Sequence, residues 1–338
     1  MRSCQRFEIK HLIVIASLVI YSIWFLTESA KPQSCTIFTA AQGETVLFGD
    51  NFDYHEADLV IGFFPDSAAE YGSVHFGFRR SDGSINFERA VNSQGLAWAV
   101  NSIPHAKLNP HPEKTYSSVE DNYFDTINKR ASTVEEAIRI AQKYDFGDSL
   151  VVQIHIADAS GDAVVIGPSP DGEIAFTRKP VGEGFLLSTN FNLAIPDKGP
   201  KDFRYDTGTA MLEKLSTSQA LTPEYAGEIL NAVRLNNLTT YTLHSNVLDL
   251  KNGYIYIYYM SQYDEVVHLD ISEELAKGER IIEARELFSP ETADAGDAAY
   301  RRFETRFTAT KITVILAILA LIGGGITLVI KKVKRNRA

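Results

Sequence analysis

The sequence predicts an α+β domain of two packed sheets flanked by helices, followed by a C-terminal transmembrane helix. Three observations predict it. Short runs rich in Val, Ile, Phe and Tyr recur between Gly, Asp and Asn turns. Three helical stretches are grouped among them. An uncharged run, Ile312 to Ile330, is followed at once by Lys331, Lys332, Lys334, Arg335 and Arg337.

In chain order, the strand-like runs are Thr36 to Phe38, Thr45 to Gly49, Leu59 to Phe64, Gly95 to Val100, Leu150 to Ile156, Ala163 to Ile166, Phe185 to Leu187, Tyr254 to Tyr259 and Glu265 to Leu269. Ser132 and Glu135 form a capping box ahead of Val134, Ala137, Ile138 and Ala141, which recur at helical spacing. Helices are also expected over Tyr205 to Leu215 and over Pro223 to Leu235, the latter with proline just after Thr222 at its start. Ser289 to Ala299, rich in Ala, Asp, Glu and Thr, reads as a linker. No internal repeat is present.

The two ends carry different apolar runs. Leu12 to Leu26 follows Arg2, Arg6 and Lys10 and is short for a bilayer that needs about 20 helical residues, so it reads as a cleaved export signal. Ile312 to Ile330 is long enough to cross as a helix, and the basic cluster behind it stays cytoplasmic by the positive-inside rule. The expected organisation is a removed segment over 1–34, a globular domain over 35–288, a linker over 289–311, a transmembrane helix over 312–330 and a basic cytoplasmic tail over 331–338. The globular domain then faces outward from the cell membrane, anchored by a single pass.

Net charge is -10, although the first 34 residues and residues 310–338 are both net basic. The outer domain is therefore more acidic still, which argues against nucleic acid as a partner. The sequence has two cysteines, and Cys4 lies in the leader, so Cys35 is the one thiol of the mature chain. A lone thiol in an oxidising exterior is a liability without a task.

Cys35 opens a strand directly behind the removable leader, in Gln33-Ser34-Cys35-Thr36-Ile37-Phe38. Once N-terminal, its α-amine (pKa about 7.7 to 8.0) lies within reach of a thiol with a pKa of about 8.5, so one residue supplies nucleophile and base. No histidine sits in a catalytic motif; His155 alternates with Val152, Ile154 and Ile156 in a strand and reads as structural. A lipoprotein acceptor cysteine would want a small aliphatic run ahead of it, and Lys31-Pro32-Gln33-Ser34 is the opposite.

With Phe48-Gly49-Asp50-Asn51-Phe52-Asp53, Val91-Asn92-Ser93-Gln94-Gly95-Leu96-Ala97, Ile156-Ala157-Asp158-Ala159-Ser160-Gly161-Asp162, Ser188-Thr189-Asn190 and Asp249-Leu250-Lys251-Asn252-Gly253-Tyr254-Ile255-Tyr256, the chain resembles a known group. These are the N-terminal nucleophile (Ntn) hydrolases of the choloylglycine hydrolase and penicillin V acylase superfamily, in particular the isopenicillin N acyltransferase-like branch. The resemblance covers about residues 35–276 and rests on the order and spacing of the motifs behind a processable cysteine.

The resemblance implies a four-layer αββα sandwich and an amide hydrolase that forms a thioester on Cys35. It matches Asp53 to the aspartate that orients the α-amine, Asn190 and Asn92 to asparagines near the oxyanion, and Arg204 to an arginine supporting the nucleophile's charge. It implies no cofactor and no metal, and a linear N-acyl amide as substrate, N-acyl amino acids among them. Acyl transfer to an amine is a close variant, and an inactive surface binding module is the contrasting class. One position departs: where bile-salt hydrolases and penicillin V acylases carry arginine, this chain has Asp50, an acid that would repel a thiolate if it pointed inward.

Overall fold

The computed structural model describes residues 35–54, 58–116, 122–179, 184–195 and 202–335. The expected signal segment, 1–34, and the last three residues of the basic tail lie outside them.

The strands are β1 Thr36–Gln42, β2 Thr45–Tyr54, β3 Leu59–Phe64, β4 Ser73–Arg79, β5 Ile85–Asn92, β6 Ala97–Lys107, β7 Thr115–Tyr116, β8 Tyr144–Asp145, β9 Ser149–Ala157, β10 Ala163–Pro168, β11 Ile174–Arg178, β12 Phe185–Ser188, β13 Tyr241–Asp249, β14 Tyr254–Tyr259, β15 Gln262–Asp270 and β16 Arg280–Glu283. The helices are α1 Tyr123–Arg130, α2 Val134–Ala141, α3 Phe203–Leu212, α4 Pro223–Ala232, α5 Ile271–Ala276 and α6 Pro290–Arg335.

Six strands form the first sheet in the order β12-β1-β2-β13-β14-β15, and eight form the second in the order β11-β10-β9-β6-β5-β4-β3-β16. Both sheets are antiparallel throughout. Because strand side chains alternate between faces, each sheet buries two sets of residues. On the outer face of the first sheet, Phe38, Ala40, Leu47 and Val247 pack with Leu212 of α3 and Ala226, Ile229 and Leu230 of α4. On the outer face of the second, Ala90, Trp98, Ile154, Ile156, Val164 and Ile166 pack with Ile127 of α1 and Val134, Ala137 and Ile138 of α2. The inner faces meet each other, as in the Phe48–His155 and Phe52–Phe78 ring contacts. Four layers result, as the sequence resemblance implied.

The helix starts have local causes. Thr133 caps α2, its hydroxyl accepting from the Glu136 N–H at 3.2 Å, while the Glu136 carboxylate accepts from the Ser132 N–H at 2.8 Å. The capping box is therefore one residue further on than the expected Ser132 and Glu135. The linker reading of 289–311 is also corrected, since α6 begins at Pro290. Ser289 accepts from Thr292 N–H on its hydroxyl and from Ala293 N–H on its carbonyl, proline occupies the first turn, and Glu291 favours the positive end of the helix dipole. Ala293 and Tyr300 are buried, and Asp297 accepts from Tyr259 Oη at 2.7 Å.

The described residues from Cys35 to Tyr300 form the compact unit that contains the sandwich, and from Arg301 the helix belongs to a second unit. Along that part Ile312, Leu316 and Leu319 are exposed. Among the described residues no helix is long and apolar enough to cross a membrane. The run 312–330 includes side chains outside the described set, so the expected span is not reproduced there.

Candidate active site

Cys35 immediately precedes β1, and strand register decides what surrounds it. Ile37 pairs with Ser188, so continuing that ladder two residues puts Asn190 level with Cys35. Thr36 pairs with Asn51 on the other side, which brings the end of β2, with Phe52 and Asp53, alongside. Thr242 of β13 pairs with Asp53 in turn.

The Cys35 side chain is fully buried and follows the parity of Ile37 and Thr39, toward the space between the sheets. Its sulfur accepts from Arg89 Nη2 at 3.6 Å, and its carbonyl accepts from Asn101 Nδ2 at 2.9 Å; both partners come from the facing sheet. Asn101 Oδ1 accepts from Ser188 Oγ at 2.8 Å, which bonds His155 Nδ1 at 2.9 Å, and His155 Nε2 bonds Thr39 Oγ1 at 3.0 Å. His155 thus ties the two sheets together and takes the structural part expected of it. Burial holds it neutral, with its pKa lowered to about 3.

Asp53 lies on the outer side of the first sheet. Its carboxylate accepts from the Thr242 hydroxyl and from Arg204 Nη1 at 3.3 Å. Burial pushes its carboxyl up to about 7 against the pull of these partners. Arg204, in the first turn of α3, is the hub of this side. It also donates through Nη2 to Asn190 Oδ1 at 2.7 Å and to Asp202 at 2.6 Å, while Asn190 Nδ2 donates to the Ser102 carbonyl at 2.8 Å. Four of the five expected residues, Cys35, Asp53, Asn190 and Arg204, are therefore brought together.

Asn92 is not among them. After a bulge in the β4–β5 pairing, Arg89 and Val91 face inward while Ala90 and Asn92 face the α1–α2 layer. The Asn92 amide is spent there: Nδ2 donates to the carbonyls of Asn128 and Ala131 at 3.0 and 2.7 Å, and Oδ1 accepts from the N–H groups of Gln94 and Leu96. It closes the end of α1 and shapes the β5–β6 turn.

Asp50 points inward, and it is neutralised. Its Oδ2 is 2.9 Å from Arg89 Nε in a pair with almost no exposure, and Oδ1 accepts from Asn246 Nδ2 at 3.0 Å. Arg89 also lies over the Phe52 ring at 4.2 Å. Arg89, Asn101, Thr242 and Asn246 are the site residues that sequence reasoning missed. Arg89 stands in Ile85-Asn86-Phe87-Glu88-Arg89-Ala90-Val91, where apolar and polar residues alternate only loosely, and β5 is not among the expected strands. The inward Asp50 was the available signal, because a buried acid demands a cation.

Burial dominates the chemistry of the thiol. It raises Cys35 to about 12, opposed by the Arg89 charge and by a hydrogen bond from the Asp53 backbone N–H. Among the described residues no cluster of His, Cys, Asp and Glu could hold a metal ion.

No protein-family model matches the chain, and no curated protein matches it in sequence. Solved structures do match its shape. An arginine-to-leucine variant of the conjugated bile acid hydrolase from Clostridium perfringens aligns with a TM-score of 0.57 at 15% identity, covering 73% of this chain and 96% of that one. A cysteine-to-alanine mutant of the same hydrolase aligns at 0.53 and 13%, covering 74% and 95%. The penicillin V acylase from Agrobacterium tumefaciens aligns at 0.50 and 13%, covering 73% and 90%. By shape, therefore, the chain has the fold of the Ntn hydrolases of the choloylglycine hydrolase and penicillin V acylase superfamily.

Proposed function

We propose that this protein hydrolyses linear, non-peptide amides with Cys35 as an N-terminal nucleophile, on the outer face of the membrane to which α6 anchors it. The observation that carries the reading is the convergence on Cys35, in an Ntn-type sandwich, of Asp53, Asn190, Arg204 and Arg89. Once the preceding residues are removed, the thiol proton passes to the α-amine as Sγ attacks the amide carbonyl carbon. The C–N bond then breaks, the amine leaves with that proton, and a thioester remains. Water attacks the thioester, the α-amine takes its proton, and the acid and the thiol are released.

Asp53 orients the amine, held by Arg204 and Thr242. Asn190, held by Arg204, supplies an N–H to the oxyanion, an interaction worth roughly 2.7 to 4 kcal/mol in comparable sites. N-acyl amides, N-acyl amino acids included, are the substrate class. The conjugated bile acid hydrolase and penicillin V acylase that share the fold support amide chemistry. The exposed Ile312, Leu316 and Leu319 on a helix that continues into an uncharged run support the anchor.

The test is N-terminal sequencing of purified protein together with amine release from a panel of N-acyl amides. The expected outcome is a chain starting at Cys35 and loss of all turnover in Cys35→Ala. Wild-type turnover in Cys35→Ala, or an active chain with Lys31 intact, overturns the reading.

A further inference from the structure

Arg89 and Asp50 differ from the rest of the site in origin. Asp53, Arg204 and Asn190 gather on the side of the first sheet and α3, whereas Arg89 reaches Cys35 across the interface between the sheets. We propose that Asp50 and Arg89 act as one positioning unit, in which Asp50 holds a guanidinium from the facing sheet against the Cys35 sulfur. This inference rests on Cys35 being the nucleophile and goes beyond it by naming what holds the thiolate.

The guanidinium is held in three ways. Nε meets Asp50 Oδ2 at 2.9 Å, Nη2 meets Sγ at 3.6 Å, and the plane lies over Phe52 at 4.2 Å. Asp50 is itself held from behind, since Asn246 Nδ2 donates to both of its oxygens at 3.0 and 3.3 Å. That same amide meets His244 Nδ1 at 3.2 Å, and burial together with the nearby Arg89 charge keeps this histidine neutral. It adds no second cation.

A purely structural pair is the competing explanation, and buried pairs contribute little net stability because desolvation offsets their attraction. Two features favour the positioning role. The pair does not close on itself, because the arginine keeps a donor on the sulfur. Moreover, Asp50 in isolation would raise the cost of a thiolate, whereas Asp50 with Arg89 presents the sulfur with a cation's near edge. The charged groups acting on the thiol from its surroundings are Arg89 and Glu88 of β5, Asp53 of β2 and Arg204 of α3. Of these, Arg89 is the strongest influence favouring the thiolate.

The experiment is the pH profile of the rate of Cys35 alkylation by iodoacetamide over about pH 7 to 9, read without substrate on processed protein whose chain begins at Cys35, with thermal melting to verify folding. Arg89→Gln is expected to lower the rate across that range by about 10-fold or more, the usual effect on the thiolate fraction of losing one opposite charge. Adding Asp50→Arg to Arg89→Gln is expected to bring it back, because arginine then reaches the sulfur from β2. If Arg89→Gln does not fold, Arg89→Lys decides. A lysine is a point charge that keeps the ion pair but cannot serve carboxylate and sulfur with a fixed fork, so the rate falls under the positioning role and stays at wild type under a structural one. An unchanged rate in a folded Arg89 variant overturns the proposal, and so does a folded double variant that fails to restore it. The functional reading fails separately, through amide turnover in Cys35→Ala.

Discussion

Asn92 shows how far a motif position can differ from the part expected of its side chain. Both ends of its amide are used, on two helix-end carbonyls and two turn N–H groups, all away from the thiol. Asn92→Ala strands several buried backbone groups at once, and losing partners of this kind costs about 1–3 kcal/mol. We expect a chemical-denaturation midpoint lower by a corresponding amount, with kcat on folded protein within a few-fold of wild type. A catalytic loss of several hundred-fold without destabilisation would return Asn92 to the oxyanion. The same logic explains Asp50. Its identity alone predicts repulsion of the thiolate, and its partner Arg89 reverses that expectation.

Among the elements, the β5–β6 turn joins residue chemistry to sheet packing. Gly95 has φ of +79°, in the left-handed region that favours glycine, and a Cβ there would run into the Leu250 carbonyl at the end of β13. The glycine therefore lets the two sheets approach at the end of the sandwich remote from Cys35. Gly95→Ala is expected to lower stability by about 1–3 kcal/mol in a thermal or denaturant melt and to leave the Cys35 alkylation profile unchanged. A wild-type melt would show that the two turns can separate without penalty. Two of the strands missed in the sequence share a feature that explains the omission. Residues 85–92 and 241–249 carry Asn, Glu, Arg, Thr, His and Ser, so their polar content hides the period of two. Those polar side chains point into the buried network, which a hydrophobicity pattern cannot distinguish from solvent exposure.

For the whole molecule, the sandwich unit ends at Tyr300 and the apolar run lies in the second unit. The proposed anchor should then be separable from catalysis. Truncation after Ala309 is expected to release a soluble protein from the membrane fraction with kcat and KM near those of the full chain. Truncated protein that still sediments with membranes after leader removal would place the attachment elsewhere. Loss of fold on truncation would show that the residues after Ala309 are required by the sandwich.

The sequence by itself determined what depends on local order: the alternating runs that became strands, the proline and threonine that start α4, and Cys35 directly ahead of the first strand. It did not carry the second strand past Gly49, so the place of Asp53 near that strand's end was decided by the pairing with Thr242. The start of α6 at Pro290 was not among these, because the acidic composition around it reads as a linker. The tertiary structure alone decided which charges meet. Arg89 and Asp50 are separated by 38 intervening residues and belong to different sheets, and no spacing rule connects them. A β-bulge in front of Arg89 sets which of its neighbours face inward, so the cation at Cys35 and the exclusion of Asn92 follow from one shift of register. Electrostatic partners across a sandwich are chosen by sheet packing, which brings distant residues within 3 to 4 Å and removes the water that would otherwise screen them.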